Sequence, residues 1–528
     1  MKIIIADSLP DSAAALLREQ GWTVDARAGR PAPELLDDIA DADGLIVRSA
    51  TKVTKALISA APQLRIIARA GTGVDNVDLG AAEENGILVV NAPGANSISV
   101  AEHTCALLLA LSRHIATADN QMKRGLWEKK SLRGAELRGK TLGILGLGRI
   151  GCEVARRATA FEMTVVAYDP FISTQLAGDL AVELLSLDEL RTRSDYVTLH
   201  IPSTAATVQL IDRAWLTQCK PGVRIVNTAR GDLIDEVALL EGLTSNQVAG
   251  AALDVFQVEP PMNEELIGHP NVVATPHIAA STKEAQELVG VETATCVRDF
   301  LKSGMVRNAV NFPTVSPEES KQLQPYMVLA ERLGSLLGQL TDDRVEGVGV
   351  RYYGELSEKK HDMLVGAVLV GLFKQVLSST VTLVNARSTA DQRGVEVVES
   401  QSSRSRDFTS LISVKLYTNA GERWAEGAVF APNEPRLVLL DGVPIESTLQ
   451  GTLIIVKNSD QPGVIGEVGT VLGKHDVNIA TFALGRGPSG AVGVVNVESN
   501  DESGQLKDQV IEELQEIPAV SDTRTVRF

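Results

Sequence analysis

The chain has 528 residues, 44% of them hydrophobic and 22% charged, a composition that excludes the disordered and collagen-like classes. At about 100–200 residues per domain, the length suggests three or four domains. The formal net charge of −17 repels nucleic-acid phosphates and anionic lipid, so neither nucleic acid nor a membrane is an expected partner.

Residues 1–7 form a short apolar run ending in an acid, too short for a signal-peptide core. Up to about residue 93, apolar runs at 3–6, 44–47, 65–69 and 87–90 read as buried parallel strands. Helical patterns at 12–20, 33–39, 53–60 and 79–85 fill the gaps, and a longer helix is expected at 97–113. The rhythm restarts with strands at 141–145, 164–168, 196–200, 224–227 and 250–253, and a helix at 282–301 is placed to return to the first unit. Two doubly wound units in series imply a cofactor domain and a substrate domain with a cleft between them. Residues 312–317 read as a linker. From 318 to 450, helices at 326–340 and 359–377 precede strands at 411–417 and 436–440, with a polar stretch at 399–406 and no catalytic constellation. The last segment reads strand 453–457, helix 464–474, strands 480–485 and 491–498, helix 506–516 and strand 523–528. That order is the ferredoxin-like split unit. Cys105, Cys152, Cys219 and Cys296 lie in apolar or helical stretches without C-x-x-C spacing. They read as reduced thiols of a cytoplasmic protein, with no metal site.

Gly146, Gly148 and Gly151 satisfy G-x-G-x-x-G between a predicted strand and a predicted helix. The first allows the tight turn, the second lets the backbone approach a pyrophosphate, and the third lets helix and strand pack. The helix start offers free N–H groups to that anion. Asp169 ends the next strand, about 20 residues on, where an acid bonds the adenosine ribose and repels a 2′-phosphate; NAD is therefore expected over NADP. Nicotinamide chemistry also needs a substrate clamp and an acid/base. Arg230, Glu259 and His277 stand at the ends of late strands, where a parallel sheet has its ligand crevice. A guanidinium binds a carboxylate bidentately, a histidine exchanges a hydroxyl proton near neutral pH, and a carboxylate beside a histidine orients the ring. His200 also ends a strand and competes for the acid/base role, but topology puts it nearer the adenine half. His103 and His114 fall on a helix and read as structural.

Residues 70–76, 146–151, 227–231, 253–256 with Glu259-Pro260, and Pro276-His277-Ile278 resemble the D-isomer-specific 2-hydroxyacid dehydrogenases. With its length and two further units, the chain resembles the long, phosphoglycerate-oxidising branch of that family. The resemblance implies catalysis by Arg230, Glu259 and His277. It implies NAD contacts from Thr72, Arg149, Ile150, Asp169, Thr228, Ala229, Asp254 and Ala280 beside the three glycines, with Asp254 near the nicotinamide carboxamide. It implies substrate contacts from Arg48, Arg69, Gly71 and Gly73, the two arginines on the phosphate. Lys129 stands where the family has an arginine on a loop that crosses to the partner subunit; lysine keeps the charge and loses the bidentate fork. The last unit resembles an ACT domain on residues 460–465 and 476–479. That implies effector contacts from Asp460, Gly463, Val464, Ile465 and Asn478, at an interface between paired ACT domains, with L-serine as the effector. The segment 318–450 resembles the family's intervening domain, which in some members binds an anion.

The expected fold is α/β: two doubly wound parallel-sheet domains (a flavodoxin-like substrate domain and a Rossmann NAD domain), an α+β intervening domain and a ferredoxin-like ACT domain. The expected boundaries are 1–97 plus 283–314 for substrate, 98–282 for NAD, 318–450 for the intervening domain and 451–528 for the ACT domain. The implied activity is NAD-dependent oxidation of 3-phospho-D-glycerate to 3-phosphohydroxypyruvate, the first step of L-serine biosynthesis, feedback-regulated by serine. Reduction of 2-oxoglutarate fits the same clamp as a side activity. The implied assembly is a homo-oligomer, a dimer through the NAD domain and a tetramer through the regulatory domains. Another 2-hydroxyacid dehydrogenase, acting on glyoxylate or hydroxypyruvate, is the nearest competing reading. A non-catalytic NAD sensor is a competitor from another class, and the intact Arg230, Glu259 and His277 set argues against it.

Overall fold

Apolar runs such as Ile3-Ile4-Ile5 and Leu45-Ile46-Val47 have no polar side to show to water, so they form strands covered on both faces. In the computed structural model they build a five-stranded parallel sheet in the order Thr23–Ala26, Lys2–Ile5, Gly44–Val47, Ile66–Arg69, Leu88–Asn91. This is the flavodoxin-like order 2-1-3-4-5. The structure describes residues 1–313, 317–358, 361–374, 377, 381–404, 407–430, 434–488, 490–498 and 508–528. The edge strand Thr23–Ala26 is half exposed and has no apolar run, so hydropathy does not reveal it. The helix Lys283–Ser303 returns to this sheet and puts Val289, Ala294 and Val297 into its core.

The second sheet has seven parallel strands in the order Val272–Ala274, Val248–Leu253, Val223–Asn227, Tyr196–Leu199, Thr141–Leu145, Thr164–Tyr168, Glu183–Leu184. The order reverses between Thr141–Leu145 and Tyr196–Leu199, which places the ligand crevice beyond the C-terminal ends of those strands. The helix Ser97–Ser112 joins the two units and is buried along most of its length.

Past the linker, whose residues 314–316 lie outside the described residues, the helices Pro317–Gln339 and Asp362–Lys374 pack backbone to backbone. A Cβ at Gly371 would lie 1.9 Å from the Glu331 carbonyl oxygen, and one at Gly334 2.0 Å from that of Val368. Residues 359–360 and 375–376 of the expected 359–377 helix lie outside the described residues. The helices cover a six-stranded mixed sheet, in the order Glu396–Ser402, Val345–Gly354, Ser410–Thr418, Gly421–Phe430, Glu434–Leu440, Val443–Thr448. The polar stretch expected at 399–406 supplies the end of the parallel edge strand Glu396–Ser402; residues 405–406 lie outside the described residues. Its mostly exposed side chains explain why polarity hid a strand.

The last unit has the strand order Asn478–Gly487, Gly490–Glu498, Thr452–Asn458, Val520–Arg527, all antiparallel, with the helices Val464–Lys474 and Asp508–Gln515 on one face. Residues 506–507, where the second helix was expected to begin, lie outside the described residues. The other face is not solvated. Leu453, Ile455, Val492, Val494 and Val526 join Leu333, Leu337, Leu340 and Leu449 in one core. The Gln339 side-chain amide donates to the Arg527 carbonyl and accepts from its N–H, both at 2.9 Å. Cutting the chain after residue 449 strips those five apolar side chains from a shared core, each worth roughly 1.5–3 kcal/mol. The expected result is loss of the cooperative melting transition of the intervening unit in calorimetry, while a cut after residue 313 leaves the first two units folded. A normal intervening-unit transition in the 1–449 protein would show the two units to be independent.

Among the described residues, no helix is long and apolar enough to cross a membrane, and no group of three or more His, Cys, Asp and Glu is arranged to hold a metal ion.

Candidate active site

Gly146 leaves the strand Thr141–Leu145 at φ 91°, and a Cβ there would lie 2.6 Å from the His200 carbonyl oxygen. Only glycine makes that turn. A Cβ at Gly151 would lie 2.1 Å from the Gly146 carbonyl oxygen, so its absence lets the helix Arg149–Ala160 seat on the turn. A Cβ at Gly148 would meet nothing within 4 Å among the described residues. It would occupy the open space before the helix N-terminus, the place a pyrophosphate requires. Asp169 Oδ2 accepts the Leu147 N–H at 2.8 Å, and Oδ1 accepts the Phe171 N–H at 2.9 Å, which fixes the carboxylate beside the turn. These residues fit the adenosine half of NAD. Arg149 reaches the other unit: a Cβ at Gly94 would lie 2.5 Å from its Nη1. Ile150, beside it, is half-buried.

The remaining cofactor candidates are held by their own hydrogen bonds. Thr72 donates to Asn96 Oδ1 at 3.0 Å. The Thr228 and Thr104 hydroxyls are hydrogen-bonded at 2.9 Å, and the Ala229 N–H donates to Asn227 Oδ1 at 3.0 Å. Asp254 is wholly buried and accepts the Ile278 and Ala279 N–H groups, each at 2.9 Å; half-buried Ala280 follows. Burial raises the Asp254 carboxyl, but hydrogen bonds from His103, Thr275 and the two amides outweigh it and hold the group below the usual carboxylate range.

The structure brings His277 and Glu259 together: Nδ1 lies 2.8 Å from Glu259 Oε2. Nε2 is therefore the ring atom left for a substrate. Glu259 is anchored in turn, its Oε1 accepting the Phe256 N–H at 3.2 Å. Arg230 Nε donates to Asp75 Oδ2 at 2.9 Å and Nη1 to the Ala229 carbonyl at 2.7 Å, which leaves Nη2 toward Gly73. Asp75 has no pattern of its own in the sequence; it lies inside the 70–76 stretch, and only the fold shows that it steers Arg230.

Arg69 is the most unusual charge in the cleft. Its Nε is buried without a partner among the described residues, and burial, then the positive charge of Arg230, pull the guanidinium down to about 10. Gly71, at φ 147°, makes the space for it: a Cβ there would lie 1.7 Å from Nη1. A Cβ at Gly73 would lie 1.8 Å from Nη2 of Arg230. Both glycines are thus clearances for guanidinium groups. Arg48 adds a third positive charge to the same field. Its N–H donates to Asp7 Oδ2 at 2.5 Å, and its carbonyl accepts from Asn76 Nδ2 at 2.7 Å. Three arginines thus share one field with Asp75 and Asp7, and the unpaired buried N–H of Arg69 is the donor that an anion would complete.

Lys129 begins an exposed turn after Trp127, and among the described residues no hydrogen bond or ion pair joins it to the arginines. His200 pairs with Thr198 at 3.1 Å, its Nδ1 has no partner among the described residues, and burial pushes its imidazole down to about 3. It stays neutral and closes the floor of the dinucleotide turn. His114 is an N-cap in left-handed backbone.

In the last unit, Asn458, Asp460, Gly463, Val464, Ile465 and Arg486 line a cavity of about 300 Å³. Arg486, which sequence patterns do not single out, donates to Asp460 at 3.1 Å. Asn478 is absent from this lining. It starts the strand that carries Arg486 near its other end, and bonds Glu498 at 3.1 Å.

Known proteins place the chain in a family. The profile of the D-isomer specific 2-hydroxyacid dehydrogenase NAD binding domain matches residues 105–279, that of the D-3-phosphoglycerate dehydrogenase intervening domain 322–441, and that of the ACT domain 452–518. A D-3-phosphoglycerate dehydrogenase of Methanocaldococcus jannaschii is 41% identical over 529 residues, covering 100% of both chains. That of Archaeoglobus fulgidus is 42% identical, covering 92% of each. Among solved structures, the D-lactate dehydrogenase of Aquifex aeolicus complexed with NAD and lactic acid is 29% identical, with a TM-score of 0.52 over 59% of this chain and 100% of that one. The chain belongs to the D-3-phosphoglycerate dehydrogenases of the D-isomer-specific 2-hydroxyacid dehydrogenase family.

Proposed function

We propose that the chain oxidises 3-phospho-D-glycerate to 3-phosphohydroxypyruvate with NAD, the first step of L-serine biosynthesis. The observation that carries this reading is the shared field of Arg48, Arg69 and Arg230 in a chain that also holds the His277–Glu259 pair at 2.8 Å. A substrate with two anionic ends needs two cationic holds, and a simple 2-hydroxy acid needs one. Arg69 and Arg48 take the phosphate, with the Gly71 and Gly73 backbone beside them. Arg230 takes the carboxylate and the C2 oxygen. His277 Nε2 accepts the C2 hydroxyl proton while Glu259 orients the ring from Nδ1. NAD, when bound, supplies the hydride acceptor. Gly146, Gly148, Arg149, Ile150, Gly151 and Asp169 hold its adenosine and pyrophosphate half; Thr72, Thr228, Ala229, Asp254 and Ala280 flank the nicotinamide half. A panel of 3-phosphoglycerate, lactate, glycerate and, in reverse, hydroxypyruvate, glyoxylate and 2-oxoglutarate tests it. Phosphoglycerate should have the highest kcat/KM, with 2-oxoglutarate reduced as a side reaction. Equal efficiency on glycerate would remove the phosphate site.

Asp169→Ala should lower the NAD-to-NADP ratio of kcat/KM roughly tenfold, the worth of one ~1.4 kcal/mol hydrogen bond with removal of the acid that opposes a 2′-phosphate. An unchanged ratio would place the ribose acid elsewhere.

The working units are residues 1–97 with 283–314 for substrate, 98–282 for NAD, 318–450 as the intervening domain and 451–528 as the regulatory domain. The protein is a cytoplasmic homo-oligomer. Its dimer forms through the NAD domain, where Ile98, Ile115, Met122, Leu126 and Trp127 leave apolar surface exposed and Lys129 stands ready for the partner's phosphate. Serine acts at the Asp460 cavity: Asp460 takes its ammonium, Arg486 and the N–H groups of Gly463, Val464 and Ile465 its carboxylate, and an Asn478 from a second copy closes the site, which makes the regulatory domains the tetramer contact. Asp460→Ala should weaken serine binding by roughly 10–150-fold, as expected for a lost hydrogen bond to a charge. Calorimetry decides: no binding of millimolar serine to the unaltered protein would make the domain an assembly module alone.

A further inference from the structure

We propose that His103 is a positioning residue for the proton-transfer dyad, acting through Thr275 and Asp254; the proposal rests on the reading of His277 as acid/base. His277 has left-handed backbone, φ 53°, a conformation that persists only where its surroundings overdetermine it. Asp254 does this. Its carbonyl accepts the His277 N–H at 2.8 Å. Its Oδ1 accepts the Thr275 hydroxyl at 2.6 Å and the Ile278 N–H at 2.9 Å, and its Oδ2 the Ala279 N–H at 2.9 Å. One residue, fully shielded from water, thus pins the turn on both sides of the catalytic imidazole.

His103 supports that pin from another element. Its Nε2 lies 3.1 Å from Thr275 Oγ1 and 3.4 Å from Asp254 Oδ1. The Thr275 hydroxyl hydrogen is committed to Asp254, so its oxygen is the acceptor and His103 is the donor, which sets the Nε2–H tautomer. His103 rides on the helix Ser97–Ser112 that joins the two sheet units. The His277 turn is therefore fastened both to its own sheet and to the element between the units. The Nε2 of His103 faces Thr275 and Asp254, not the imidazole itself. Its work is alignment of the imidazole with Glu259, and small misplacements of a reacting group cost rate rather than binding.

The test uses the full-length enzyme and compares His103→Leu, His103→Gln and Thr275→Val, with kcat and both KM values as readouts. The leucine cannot donate; the glutamine amide can. Expected are a roughly tenfold lower kcat in H103L with both KM values within about twofold of normal, and recovery of most of that loss in H103Q. Thr275→Val, nearly isosteric, should repeat the kcat-selective loss, and it carries the test if H103L does not fold. A normal kcat in H103L or T275V overturns the proposal, as does a loss that H103Q fails to recover. His277→Ala in the same assay separates the two readings. Full turnover there removes the acid/base assignment itself, whereas an inactive H277A beside normal H103L and T275V overturns only the role of His103.

Discussion

His277→Ala should lower kcat about 10²–10⁴-fold, the usual contribution of a general acid–base, while NADH binding stays near normal. Its Nδ1 is held by Glu259 at 2.8 Å, so the imidazole presents one nitrogen and one orientation to the substrate hydroxyl. The dinucleotide turn and Asp169 are separate from it, which is why cofactor affinity should survive. Glu259→Gln should fall between the variant and the normal enzyme, since an amide still contacts Nδ1 but cannot stabilise an imidazolium. His200→Ala is the matched control. Its ring is pushed down to about 3 by burial and bonds Thr198, so it cannot take up a proton near neutral pH. Stopped-flow hydride transfer and NADH fluorescence titration measure the two quantities separately. Near-normal kcat in H277A with a collapse in H200A would exchange the two assignments.

Most strands of both parallel sheets were legible because buried parallel strands are written as unbroken apolar runs; Thr141–Leu145 and Thr164–Tyr168 match residue for residue, whereas the two- and three-residue edge strands Glu183–Leu184 and Val272–Ala274 are too short to stand out. Strands without such runs were not legible. Thr23–Ala26 and Glu396–Ser402 are edges held by backbone pairing, and their side chains are mostly in water. The candidate site residues were legible in kind, because glycine, arginine and histidine at strand ends leave few chemistries open. Their supports were not. Asp75, Thr275 and His103 act through contacts spanning 155, 21 and 172 residues, and no local pattern records such distances. The effector residues divide for a similar reason: a contiguous turn places Asp460 and Gly463–Ile465 on one cavity, whereas Asn478 lies on a strand whose far end reaches it.

The shared core of the two C-terminal units changes how a regulatory signal must travel. The Asp460 cavity opens on the helix-bearing side of the last sheet, and its opposite face is fused to the helix Pro317–Gln339 through Leu333, Leu337 and the Gln339–Arg527 clamp. That helix begins at the linker to the catalytic units. A second contact bypasses the linker: the Thr382 hydroxyl donates to the Gly86 carbonyl at 2.8 Å, just before the strand Leu88–Asn91. If serine binds at this cavity as proposed, it acts on two units that share one core, and it biases catalysis only if one position of that pair suits an effector-bound cavity better than the other.

Gly73→Ala should lower kcat/KM for phosphoglycerate roughly 10²–10⁴-fold, because a two-bonded charge clamp is worth about 1.5–3 kcal/mol per hydrogen bond. A methyl group there would lie 1.8 Å from Nη2 of Arg230 and 2.8 Å from Oδ2 of Asp75. Neither atom is backbone. The guanidinium is the free end of a long side chain and swings aside at little cost to folding. Gly73 also lacks the left-handed backbone that makes Gly71 strained for any other residue. The variant should therefore melt within a few degrees of the normal protein and bind NADH normally, yet lose the carboxylate clamp as Arg230→Ala does. Gly71→Ala, by contrast, should lose both stability and phosphate affinity, since the new Cβ would meet Arg69 at 1.7 Å on a backbone with φ 147°. Thermal melts and steady-state kinetics on the two alanine variants distinguish the cases. An unchanged kcat/KM in G73A would mean that Arg230 can leave its place without consequence, and the clamp would then have to be sought elsewhere in the arginine cluster.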